Sequence, residues 1–322
     1  MVVVLSESEV ERALDLGSLV DVVGEALQKQ AAGAVERPDR PHFPVGAGLD
    51  GPDPEGMGIT MSAYIHGAAH YVTKLVGVHD DNAQRELPTI NAQVVLTDAE
   101  TGLPVALMGG TTITNARTGC VGALSVRAFA PETETLGVIG AGAQARWQTR
   151  AIATVADLAD VRIYAPSESR QACATDLQAR EIPARAVDSA REAVDGADTV
   201  VTATTATAPV FPAEALGPDS LVVAVGAYTA EMQELAPAVL EGAETIYADV
   251  PAEVAETGDL RAAAIESSEL VSLGAALADE KPNRGNGVTV VDSVGSATLD
   301  AAAAPVLYKR ARASSSGTEI SL

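Results

Sequence analysis

Residues 135–145, Thr-Leu-Gly-Val-Ile-Gly-Ala-Gly-Ala-Gln-Ala, run a short apolar strand straight into three small residues spaced Gly140-x-Gly142-x-x-Ala145. Each small residue answers a steric demand. Gly140 permits a tight turn, Gly142 lets the backbone approach a pyrophosphate with no Cβ in the way, and Ala145 lets the next helix close on its strand. Phosphates held there meet unpaired helix amides and the positive end of the helix dipole. Glycine-rich turns are common in a chain with 28 glycines, so the flanks decide. Leu136, Val138 and Ile139 read as strand and 143–155 as helix, which is the context a dinucleotide turn requires. A purely structural strand-turn-helix is the plainer alternative.

Around this turn the chain falls into two unlike parts. Ser6-Glu7-Ser8-Glu9 is a capping box opening an amphipathic helix with Val10, Leu14, Val20, Val23 and Leu27 on its apolar side. The Pro-rich stretch 37–44 must be extended or turning. Strand-like runs follow at 58–65, 70–78, 92–96 and 103–108, with a hairpin turn at 98–102. A helix is expected over 114–128 with Thr114 as its cap. Beyond it, apolar runs at 136–139, 161–164, 199–203, 221–225, 245–249 and 288–291 alternate with helical segments, the pattern of a parallel sheet covered on both faces. The last helix, 297–312, is alanine-rich and expected to pack back on the first part, while 314–322 reads as a disordered tail. The fold class is therefore α/β. A Rossmann-type dinucleotide-binding domain at 116–298 accompanies a discontinuous α+β domain, 1–115 with 299–322, for substrate binding and dimerisation.

Composition narrows the partners. The 322 residues carry 44 acidic against 21 basic side chains, a formal net charge of −23, and only four lysines: Lys29, Lys74, Lys281 and Lys309. Such a balance excludes nucleic-acid binding through a basic face. Acidic surface, scarce lysine, abundant alanine and few aromatics resemble the cytoplasmic proteins of salt-loving archaea, where molar salt screens self-repulsion; an ordinary acidic bacterial protein is the alternative. No apolar run is long enough for a membrane span and the N-terminus lacks a basic, apolar signal, so a soluble cytoplasmic protein is expected. Cys120 and Cys173 are too few for a disulfide framework and too isolated for a metal, and are expected to be buried small hydrophobes.

Chemistry has to come from the first part, because a Rossmann domain names no substrate. Lys74 interrupts the apolar run 71–78, Arg117 follows Thr111-Thr-Ile-Thr-Asn115, and Arg40 lies in the Pro-rich loop. An arginine fork suits a carboxylate, and a desolvated lysine can give up a proton near neutral pH. Each also has an ordinary reading: a surface arginine, an outward strand lysine, a helix salt bridge. On the cofactor side, the second strand ends Arg162-Ile-Tyr164 and places Ala165 where NAD enzymes keep an acid for the ribose hydroxyls. Ser167, Ser169 and Arg170 suit a 2′-phosphate, whereas Glu168 is close enough to serve as a ribose ligand. NADP is favoured and NAD stays open.

Taken together, several motifs resemble the ornithine cyclodeaminase/mu-crystallin family over nearly the whole chain. They are Arg37-Pro-Asp-Arg40, Thr73-Lys74-Leu-Val76, the hairpin 97–104, Ile113-Thr114-x-x-Arg117-Thr118, Val138-Ile-Gly-Ala-Gly-Ala-Gln-Ala145, Ala197-Asp198 with Thr202-x-Thr204, Val225-Gly226 before Glu234-Leu235, and Asp292-Ser-Val-Gly295. The resemblance implies a homodimer whose discontinuous domain supplies both interface and substrate pocket. It assigns the substrate carboxylate to Arg40, Lys74 and Arg117, with Lys74 near the reacting carbon. Pyrophosphate contacts fall to Gly140, Gly142, Ala143 and Gln144, and ribose and nicotinamide contacts to Thr202, Thr204, Val225 and Ser293. Met61, Tyr64 and Tyr228 would set which side chain the pocket accepts. No metal is implied.

One departure bears on the reaction. Cyclodeaminases and similar alanine dehydrogenases carry an aspartate two residues past the glycine matching Gly226, and here that position is Tyr228. A phenol with a pKa near 10 cannot act as base at neutral pH, although it can donate a hydrogen bond or a proton. Mu-crystallin-like ketimine reductases also lack the aspartate. The sequence thus points to hydride transfer between nicotinamide and an amino, imino or keto acid, as a ketimine reductase or amino-acid dehydrogenase, with Lys74, Arg117 and Tyr228 as catalytic candidates. Redox-neutral ornithine cyclodeamination and a mu-crystallin-like binding role are the alternatives.

Overall fold

The computed structural model describes residues 1–49, 51–85, 87–279 and 287–321. They form two compact units. The first comprises Met1–Asp15, Gly33–Arg117 and Ala297–Leu322, and the second Leu16–Ala32 and Thr118–Ser296.

The first unit is built on strands β1 (Val2–Leu5), β2 (Val35–Glu36), β3 (His42–Val45), β4 (Gly56–Ile65), β5 (His70–Val78), β6 (Ile90–Asp98) and β7 (Pro104–Gly109). The strands β4 to β7 form an antiparallel meander, and β1 joins β7 in parallel. Pairing places Met61, Lys74, Val94 and Met108 in one row across the meander, and all four are buried. Helix Ala297–Ala313 packs on β4 and β5 over this face. A charged residue has therefore been set in an otherwise apolar row. The hairpin expected at 98–102 is present: Asp98 Oδ1 accepts from the Thr101 amide at 2.8 Å, and Gly102 takes φ +72°.

The second unit holds the parallel sheet, in strands β8 (Thr135–Ile139), β9 (Asp160–Tyr164), β10 (Ala184–Ala186), β11 (Thr199–Thr202), β12 (Leu221–Ala224), β13 (Thr245–Ala248), β14 (Val271–Ser272) and β15 (Thr289–Asp292). Their order is β10-β9-β8-β11-β12-β15-β13-β14. Strands buried on both faces need continuous apolar runs; Leu136, Val138, Val200, Val222 and Val290 are all fully buried, each adding about 1.5–3 kcal/mol of transfer free energy. The direction of winding reverses between β8 and β11, the switch point at which doubly wound sheets bind nucleotides.

Several local expectations are corrected. The helix expected over 114–128 begins four residues earlier, spanning Gly110–Phe129. Its first amides are capped from outside: Glu7 accepts from Thr111 N at 3.0 Å and Thr112 N at 2.8 Å, so Thr114 is an interior residue and not the cap. The single N-terminal helix is two, Glu7–Arg12 and Leu16–Ala31, and the second falls in the Rossmann unit, where it packs on Leu273–Ala276. The tail is not free: β16 (Thr318–Ile320) pairs antiparallel with β1, helped by an Arg312–Glu319 ion pair at 2.6 Å. Leu322 lies outside the described residues. Cys120 and Cys173 are buried and unbridged.

Candidate active site

In the first unit Lys74, only 1 % exposed, reaches up from β5 between two helices. Its Nζ donates to Asp300 Oδ2 at 2.7 Å and to Thr114 Oγ1 at 3.3 Å. The other oxygen, Asp300 Oδ1, takes Arg117 Nε at 3.4 Å. Asp300 is fully buried. Loss of solvent pushes the Lys74 amine down to about 8; Asp300 opposes the shift, and Arg117 and Arg40 reinforce it. Charges removed from water persist only when paired and hydrogen-bonded, and this group pairs two buried cations, with Arg40 half-buried nearby, against one carboxylate. Arg117 Nη1 is buried and has no hydrogen-bond partner among the described residues. A cluster with surplus positive charge and an open guanidinium edge is arranged to receive a small carboxylate. Met61, 7 % exposed, sits directly across from Lys74 in the β4–β5 register and lines the same face.

Asp300 is the functional candidate that sequence reading missed. Its only local signal is an acid in the alanine-rich run Ala297-Thr-Leu-Asp-Ala-Ala-Ala-Ala, a position that a helix-dipole argument also explains.

In the second unit the turn after β8 has the expected shape. Gly140 takes φ +116°, and a Cβ on it would strike the Ala203 carbonyl. Gly142 caps helix Ala143–Ile152 without any side-chain hydrogen bond, and a Cβ there would meet nothing within 4 Å. The exposed backbone of Gly142 and Ala143, with Gln144 half-buried next to them, leaves an open cradle at a helix N-terminus. These residues fit a pyrophosphate. Ala145 is buried, as close packing of helix on strand requires.

At the end of β9, Ala165 offers no carboxylate. Arg170 folds back so that Nη1 donates to the carbonyls of Ser167 at 3.1 Å and Ala165 at 3.3 Å, with Glu168 3.5 Å from its Nη2. Ser167 and Ser169 hydroxyls lie 2.7 Å apart on the exposed loop. Beyond β11 and β12, Thr204 and Val225 are half-buried and Tyr228 is 38 % exposed. Thr202 and Ser293, expected along the ribose and nicotinamide, are buried with their hydroxyls turned inward: Thr202 donates to Glu234 at 2.9 Å and Ser293 to Asp249 at 2.7 Å. Both hydroxyls are thus engaged by buried carboxylates at the strand ends. Among the described residues no group of three or more His, Cys, Asp or Glu is placed to hold a metal.

The Rossmann unit with its exposed glycine turn, together with the buried cation cluster of the first unit, marks a dinucleotide-dependent enzyme. More narrowly, residues 1–315 match the model of the Ornithine cyclodeaminase/mu-crystallin family, and the chain belongs to that family. It is 31 % identical over 328 residues to a Delta(1)-pyrroline-2-carboxylate reductase of Bacillus cereus, covering 98 % of this chain and 99 % of that one. Among solved structures it is similar to the Thermococcus litoralis Delta(1)-pyrroline-2-carboxylate reductase in complex with NADH and L-proline, with a TM-score of 0.92, 26 % identity and 99 % and 100 % of the two chains covered. It is also similar to an archaeal alanine dehydrogenase dimer with bound NAD, at TM-score 0.90 and 27 % identity over 100 % and 99 % of the chains.

Proposed function

We propose that this chain is an NAD(P)-dependent oxidoreductase that reduces a C=N or C=O carbon next to a carboxylate and, in reverse, oxidises the amino or hydroxy acid. The observation that carries the reading is the buried Lys74–Asp300–Arg117 group. Arg117, with Arg40, holds the substrate carboxylate through a charge-assisted fork. Lys74, its amine lowered to about 8, delivers a proton to the nitrogen or oxygen as charge develops there, and recovers it in the reverse direction. Gly140, Gly142, Ala143 and Gln144 would hold the pyrophosphate of a nicotinamide dinucleotide, which when bound would supply or accept the hydride. Met61 lines the Lys74 face of the first unit, where it would bear on which side chain is accepted. With a phenol at position 228 and Glu231 exposed, no carboxylate in that loop serves as the base that cyclodeamination needs.

Names of relatives support the imino-acid reading: pyrroline-2-carboxylate reductases and alanine dehydrogenase both act on a carbon between a nitrogen and a carboxylate. NADP is the preferred nucleotide in this reading, because β9 is followed by Ala165 where an acid would bind the ribose, and the loop offers two serine hydroxyls and Arg170. Cofactor binding belongs to the second unit and substrate binding to the first. We further assign a cytoplasmic homodimer joined through the outer face of the first sheet. There the rows Thr60, Leu75, Gln93 and Ser62, Thr73, Val95, Leu107 carry no charge, in a chain of net charge −23. Leu75 and Leu107 are 46 % and 39 % exposed on that face, and uncharged apolar patches of this kind mark interfaces.

The test is a substrate panel in molar salt: cyclic imino acids, keto acids with ammonia, alanine, proline, lysine and ornithine, each with both nucleotides. Nicotinamide absorbance and ammonia are followed together. Net nucleotide oxidation with an imino acid supports the reading. Ammonia from ornithine with no net nucleotide change replaces it by cyclodeamination, and nucleotide binding without turnover replaces it by a binding role.

A further inference from the structure

The carboxylate of Glu234 is fully buried, and no step of the reaction above uses it. Its Oε1 accepts from the Thr204 amide at 2.6 Å, and its Oε2 from the Gly226 amide at 2.8 Å and the Thr202 hydroxyl at 2.9 Å. One side chain therefore joins the segments leaving β11 and β12, neighbouring parallel strands whose last amides have run out of ladder partners. The packing is as close as chemistry allows. A Cβ on Gly226 would lie 2.5 Å from the Glu234 carboxyl carbon, so the clamp requires glycine there. The clamp is itself anchored: Asp259 Oδ1 accepts from the amides of Glu234 and Leu235, both at 2.7 Å.

We propose that Glu234 is a positioning residue that locks the Thr204 and Gly226 loops together so that the nicotinamide end of the dinucleotide is held still. The proposal rests on the cofactor reading above. Two features single out an ionised carboxylate for the task. Both oxygens accept from backbone N–H groups, so a carboxamide in either orientation would turn its NH2 against one of them. Hydrogen bonds to an ionised acceptor are also roughly twice as strong as neutral ones. Burial pushes the group up to about 7, against the lowering pull of its hydrogen bonds from Thr204, Thr202 and Gly226. The titratable groups facing it from neighbouring elements are acids: Asp259, and Asp292 on β15 with Asp249 beyond it. Protonation removes the charge assistance and slackens the clamp.

The experiment compares two ligands on the intact protein in molar salt: ADP, which carries the adenosine and pyrophosphate, and the reduced dinucleotide, followed by its nicotinamide fluorescence. In Glu234→Gln, ADP affinity should stay within about threefold of wild type. The dinucleotide should lose about tenfold or more, and the emission of its bound nicotinamide should move towards that of the free molecule. The wild-type advantage of dinucleotide over ADP should shrink as pH falls through about 7. Thr202→Val, which removes only the hydroxyl donor, should show a smaller loss of the same kind and covers the case in which Glu234→Gln fails to fold. Equal weakening of ADP and dinucleotide, or no weakening in either variant, overturns the proposal. If wild type binds both ligands yet turns over no imino or keto acid, the reading of the reaction falls while the clamp stands.

Discussion

Replacing Asp300 by asparagine removes one charge from the buried cluster and almost no volume, so its effect can be worked from a distance. A unit charge 2.7 Å from the Lys74 ammonium is worth about 6 kcal/mol at an effective dielectric of about 20. That is an upper bound of about four pKa units at 1.36 kcal/mol each. The asparagine oxygen still accepts from Nζ, and paired groups commonly shift by about one to three units. Starting from about 8, the Lys74 amine should therefore fall to between about 5 and 7 in the variant. Reduction needs the protonated amine, so wild-type kcat/KM should be level on the acid side and fall as pH rises through about 8. In Asp300→Asn the same fall should begin one to three units lower, about tenfold down at pH 7, with much of the activity recovered in acid. The assay is initial-rate imino-acid reduction across pH, since kcat/KM reports groups of the free enzyme. A break that stays near 8, or a loss equal at every pH, refutes the assignment of Lys74 as the proton donor.

Three further outcomes follow. Gly140→Ala puts a side chain at φ +116° against a carbonyl; dinucleotide affinity should fall at least tenfold and stability by about 1–3 kcal/mol, and unchanged titrations would contradict the turn. Glu234 titrates at about 7 when folded against 4.5 ordinarily, so ionising it, as the clamp requires, costs fold stability that is fully present below about 4.5 and lost as pH rises through 7. That is about 3 kcal/mol in all, and the pH slope of thermal unfolding between 5 and 8 should flatten in Glu234→Gln; identical slopes would disprove it. Leu107→Glu charges the outer face of the first sheet and should halve the mass measured by light scattering, whereas a dimer that survives moves the interface elsewhere.

What the sequence revealed and concealed divides by range. The turn at Gly140 was legible because strand, turn and helix are contiguous and Gly140 answers a local steric need. Lys74 was legible because a lysine inside an apolar run is anomalous wherever it points. Asp300 was not, since its meaning comes from partners 226 and 183 residues away. The start of helix Gly110–Phe129 was hidden for the same reason: its cap, Glu7, lies over a hundred residues upstream. Tail strand β16 has too few apolar residues to announce itself and is fixed by pairing with β1. The carboxylate partners of Thr202 and Ser293, Glu234 and Asp249, were hidden likewise, lying 32 and 44 residues away.

The central claim, that Lys74 carries the proton in a reaction between a nicotinamide and a carboxylate-bearing substrate, is tested most directly by Lys74→Met. This change keeps an unbranched side chain of nearly the same length and removes its charge. Turnover in both directions should fall by at least about a hundredfold, the usual worth of a general acid, while dinucleotide affinity stays within threefold of wild type. A variant that binds nucleotide and still reduces imino acids at the wild-type rate would contradict the account.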